Sequence, residues 1–96
     1  MSGNKPQKLG LVLSSLIDKW GMRERMETAK VIETWATLAG PQINGVTDAV
    51  WLKDKRLFVW IISSAWRQEL YMRRKEWLQR LNEELEGGTV EEIIFR

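Results

Sequence analysis

With 96 residues, 44% of them hydrophobic and six of them Trp, the chain has the length of one small domain and enough apolar mass to give it a core. It contains neither Cys nor His, which excludes disulfides, thiolate nucleophiles, zinc sites of the usual kind and imidazole acid–base catalysis. Fifteen basic and thirteen acidic side chains leave a net charge of +2, so any affinity for nucleic acid has to come from local clusters.

Residues 1–7 are polar and read as a disordered tail, and residues 8–96 as a single domain. Leu9, Val12, Leu13, Leu16, Ile17 and Trp20 recur at helical spacing, and Gly21 is a natural stop, which predicts a helix over about 8–20. Lys5 and Lys8 ahead of this apolar run faintly resemble a signal peptide. Ser14 and Ser15 interrupt the run, however, and no small-residue cleavage site follows. No stretch approaches the ~20 apolar residues of a membrane span. The reading is a cytoplasmic protein with no membrane contact.

A second helix is predicted over about 23–39, with Met26, Ala29, Ile32, Trp35, Ala36 and Ala39 in one stripe that Val31 and Leu38 widen. Gly40-Pro41 ends it, and Pro41 to Gly45 leaves room for a further short turn. A hairpin follows, with strands over about Val46–Lys53 and Arg56–Ser63 joined by Asp54-Lys55. Asp54-Lys55 lacks the Gly that a two-residue loop favours. A third helix is predicted over about 64–86, opened by Ser63 or Ser64 and stopped by Gly87-Gly88. Trp66, Leu70, Trp77, Leu78, Leu81 and Leu85 line one face of it. Arg74 falls within that face, which predicts a kink or break near 73–75. A last strand over about Thr89–Phe95 completes an α-α-β-β-α-β order. The fold class is α+β, with helices on one face of a three-stranded sheet and Trp35 and Trp66 buried between the layers.

With these elements in place the chain resembles a known family. Trp35-x-x-x-x-Gly40, Leu57-x-Val59, Ser63-Ser64-x-Trp66-x-x-Glu69-Leu70, Leu78-x-x-Leu81-Asn82 and Ile93-x-Phe95-Arg96 look like the DciA family, over about residues 9–96. The resemblance implies a KH-like fold and a non-enzymatic role in DNA replication, with the replicative DNA helicase as partner, and no cofactor. Many members carry a long, disordered, basic C-terminal tail; the sequence stops at Arg96, so the expectation is the compact form. A KH domain grips nucleic acid with a Gly-x-x-Gly loop between helices. None occurs here.

The chemistry-bearing residues are few. The carboxylates of Glu83, Glu84, Glu86, Glu91 and Glu92 fall at a helix end and a strand start, where they read as solvated surface and not as a catalytic pair. No metal-ligand spacing, phosphate loop or nucleophile set occurs. Two basic clusters are candidates for phosphate contact: Arg73, Arg74 and Lys75 with Arg67 on the third helix, and Lys53, Lys55 and Arg56 at the hairpin tip. Glu69–Arg73 and Glu76–Arg80 at i,i+4 would offset part of the first.

The hairpin is apolar on both faces. With a two-residue turn, 53 faces 56, 52 faces 57 and 50 faces 59. This sets Val50, Leu52, Leu57, Val59 and Ile61 on one side, and Trp51, Phe58, Trp60 and Ile62 on the other. The second side calls for a cover: a segment of the same chain, a protein partner or second copy, or stacked bases. Trp51, Phe58, Trp60 and Ile62 are accordingly expected to form a protein interface, with a homodimer about a two-fold axis as the leading form of it. The function read from all this is binding of the replicative helicase, single-stranded DNA, or both. The alternatives are a KH-like RNA-binding protein and a homodimeric scaffold with no nucleic-acid role.

Overall fold

The computed structural model describes the backbone of residues 7–88 and 90–96, and the side chains from Arg25 onward except Thr89. Its elements are α1 (Gln7–Gly45), β1 (Thr47–Lys53), β2 (Arg56–Ile61), α2 (Ser64–Met72), α3 (Arg74–Glu84) and β3 (Glu92–Phe95). The expected tail lies outside the described residues except Gln7, which opens α1. The expected apolar stripe from Leu9 to Trp20 lies outside the described side chains.

The class is α+β, as expected, but the helices are divided differently, giving the order α-β-β-α-α-β. The chain does not break at Gly21: one helix runs through it to Gly40. A helical Gly costs only about 1 kcal/mol, and without a neighbouring Pro that is too little to end a helix. Gly40 does end it, at φ 83° and ψ 174°, a conformation open mainly to glycine. Pro41 then starts the short turn that runs to Gly45. Within the described part of α1, Val31 and Trp35 are buried and Leu38 packs on the same core, whereas Met26 is 65% exposed and Ala29 is also exposed. The packing stripe therefore begins at Val31, later than Met26, because α1 runs on past the layer that covers the sheet.

The break expected near 73–75 falls at Arg73, whose φ of −108° and ψ of 21° leave the helical region. Ser63 caps α2, its Oγ accepting from the Trp66 amide at 3.3 Å. After the break the Arg74 guanidinium lies 4.1 Å from the centre of the Tyr71 ring, and its Nη1 donates to the Tyr71 carbonyl at 3.0 Å. An Arg that an uninterrupted helix would drive into the apolar face is kept at the edge of it.

The sheet order is β1-β2-β3, with β1 antiparallel and β3 parallel to the central β2. The hairpin register is the expected one: Val50 opposite Val59, Trp51 opposite Phe58, Leu52 opposite Leu57 and Lys53 opposite Arg56. Asp54 and Lys55 both take positive φ, 53° and 63°, the twist that a two-residue hairpin turn requires even without Gly. A bulge near Asp48 shifts the register at the start of β1. β1 starts one residue later than expected, β2 ends at Ile61 instead of Ser63, and β3 is confined to Glu92–Phe95.

The core lies between helices and sheet. Leu57, Val59, Ile61, Ile93 and Phe95 meet Val31, Trp35, Leu70, Leu81 and Leu85. Trp35 is at its centre, edge-on to Trp77 at 5.4 Å between ring centroids and tilted on Phe95 at 5.8 Å. Trp66 is half-buried and not enclosed as expected, because it sits on the first turn of α2, at the end of the layer. Asn82 ties the end of α3 to the approach to β3: its Nδ2 donates to the Val90 carbonyl at 2.8 Å, and its Oδ1 accepts from the Val90 amide at 3.1 Å.

Candidate binding surface

Strand alternation sends Trp51, Phe58, Trp60 and Ile62 to the side of the sheet away from the helices. Trp51 is 57% exposed, Trp60 37% and Ile62 68%, and Phe58 is half-buried. Through the parallel pairing Phe58 lies beside Ile94, so β3 adds a further apolar residue, half-buried, to this face. Sequence reasoning missed Ile94 because the register between β2 and β3 crosses two helices, and no local pattern encodes it. The Phe58 and Trp60 rings stack at 5.9 Å with only 24° between their planes.

Charge surrounds these rings. At the hairpin-tip end Lys53, Arg56 and Glu92 occupy adjacent positions on the three strands, with Arg56 Nε 3.5 Å from a Glu92 carboxylate oxygen. At the other end Arg96 follows β3 and places its guanidinium 5.7 Å from the Phe58 ring centre. Lys53 and Lys55 also border a groove of about 1170 Å³ between α1 and β1, together with Arg25, Ile32 and Trp51. Arg25 adds a cation to this groove that no sequence pattern links to the tip, because it lies far from the hairpin along the chain.

The other basic candidates are engaged to different degrees. Arg73 Nε sits 2.9 Å from Glu69 Oε2, the expected i,i+4 pair. Glu76–Arg80 is not paired among the described residues. Arg80 instead lies over Trp77, 4.8 Å from its centre. Lys75 is exposed. Arg67 is half-buried and its Nη2 donates to the Ile61 carbonyl at 2.8 Å, so its head group holds the end of β2. The two clusters stay separate features, one at the α2–α3 junction and one at the hairpin tip.

The described residues contain no group of His, Cys, Asp or Glu able to hold a metal ion, and no buried polar or charged residue. Among them no helix is long and apolar enough to cross a membrane.

Comparison with known proteins gives the family. A protein of Corynebacterium glutamicum (strain R) described as "UPF0232 protein" is 30% identical over 87 residues, 91% of this chain. The match takes in 49% of that protein, so the chain spans about half the length of this relative. The family described as "Dna[CI] antecedent, DciA" matches residues 8–95, from α1 through β3, and the chain belongs to the DciA family.

Proposed function

We propose that this chain is a non-enzymatic accessory of DNA replication that works in the cytoplasm by binding the replicative helicase and single-stranded DNA. The observation that carries the reading is the family match over residues 8–95. Residues 8–96 act as one KH-like unit in this reading. The mode of gripping nucleic acid differs from a KH domain's, since α2 and α3 are joined by Arg73 alone and leave no room for a Gly-x-x-Gly loop. The exposed cations Lys53, Lys55 and Lys75, with Arg56, Arg73 and Arg74, meet phosphates. Arg67 supports them from behind by fixing β2.

Surface contacts of this kind give affinity without sequence preference and with a steep dependence on salt. The test is biolayer interferometry with the purified replicative helicase of the native host. Saturable binding supports the reading, and no binding at low salt refutes its helicase half. A second reading, a scaffold that pairs two copies through Trp51, Phe58, Trp60 and Ile62, is favoured by the exposure of those side chains. Sedimentation at rising concentration tests it, with a concentration-dependent dimer as the result in its favour.

A further inference from the structure

We infer that the outer sheet face is a stacking platform for a single-stranded nucleic acid, with bases on Trp51, Phe58 and Trp60 and phosphates on Lys53, Arg56 and Arg96. The inference rests on the single-strand half of the reading above and moves its centre from the helices to the sheet.

Three observations carry it. The Phe58 and Trp60 rings share nearly one plane direction, 24° apart, so bases stacked on them keep a common orientation. The exposed Trp51 stands directly across from Phe58 and extends the platform to a second strand. The third observation is the charge around the rings. Lys53, Arg56 and Arg96 point to this side; even with the exposed Asp48 of the β1 bulge counted beside Glu92, these strand residues leave the face one positive charge. Glu91 precedes β3, and Asp54 belongs to the turn.

That charge pattern selects the occupant. The tip end carries Lys53 and Arg56 against one Glu92, and the far end carries Arg96 with Asp48 two strands away. A two-fold axis in this face along the strands would set the cationic tip of one copy, Lys53 and Arg56, against that of the other. A polyanion with flat apolar groups fits both features at once, because its backbone meets Lys53, Arg56 and Arg96 and its bases meet the rings. Aromatic residues on an open sheet bind single strands in this manner in other folds.

The experiment is fluorescence anisotropy of labelled dT20, with rU20 and a 20-base-pair duplex beside it, for wild type, Trp60→Ala, Trp51→Ala and Trp60→Phe, each checked by thermal melting. Each ring removed should weaken dT20 binding roughly 5- to 150-fold, while Trp60→Phe keeps most of it and the duplex binds less tightly than dT20. Arg96→Ala should lower the slope of log affinity against log salt by about 0.7. If Trp60→Ala does not fold, Trp51→Ala and Trp60→Phe carry the comparison. Binding of dT20 that ignores every ring substitution overturns the inference and leaves the proposed function standing. No binding of dT20 or rU20 at low salt overturns it together with the single-strand half of that function. A wild-type dimer that Trp60→Lys converts to a folded monomer also overturns it, because a second copy then covers the face.

Discussion

The two faces of the central strand make an informative comparison. On the helix side Leu57, Val59 and Ile61 are enclosed by α1, α2 and α3. On the other side Phe58, Trp60 and Ile62, residues no less apolar, lie at the surface with Trp51 and Ile94 beside them. Hydropathy does not distinguish the two faces; residue shape and surroundings do. The inner face uses branched aliphatic side chains that interlock with helices. The outer face sets the rings of Trp51, Phe58 and Trp60 between cations, a composition suited to a ligand.

The largest effect that could break this comparison belongs to the inner side. Trp35→Ala should cost about 3–5 kcal/mol of stability, since it empties the centre of the core. Chemical denaturation measures it, and Trp66→Ala, at a half-buried position, should cost clearly less. A smaller loss, about 1–3 kcal/mol, is expected for Asn82→Ala, which leaves both the amide and the carbonyl of Val90 without their partners. If Asn82→Ala is neutral, the seating of β3 beside β2 does not depend on that clamp.

On the outer side Trp60→Ala should change stability by less than about 1 kcal/mol, because the side chain is already partly in water. A loss as large as that of Val59→Ala would show that the outer rings belong to the fold. The smallest effect sharpens the hairpin that carries the face. Lys55 sits at φ 63°, where a side chain costs roughly 1–2 kcal/mol and Gly does not, although Gly restores some chain entropy to the unfolded state. Lys55→Gly should therefore raise the melting temperature slightly, while removing one cation from the tip.

Much of this was legible in the residues themselves. Alternation in Leu57–Ile62 separated the two faces, and a two-residue turn counted back from Arg56 set Trp51 opposite Phe58. Arg74 within an apolar helical face announced the break at Arg73. The rest is not legible for two reasons, one energetic and local, the other a matter of long-range contacts. Gly21 looked like a stop, but a glycine inside a helix costs too little to act as one. Met26 and Ala29 looked like core, but periodicity does not reveal how far a helix outruns the sheet it covers. Ile94, Arg96 and Arg25 joined the surface only through the β2–β3 register and the approach of α1 to β1. Those contacts link residues far apart in the chain, so no local pattern exposes them.

The most direct test of the outer face as a binding surface is nitrogen–proton NMR of the tryptophan indoles during titration with dT20. The indole signals of Trp51 and Trp60 should move saturably, while that of Trp35 stays in place. Shifts confined to Trp66 and Trp77, or a saturating titration that leaves Trp51 and Trp60 unmoved, would contradict the account.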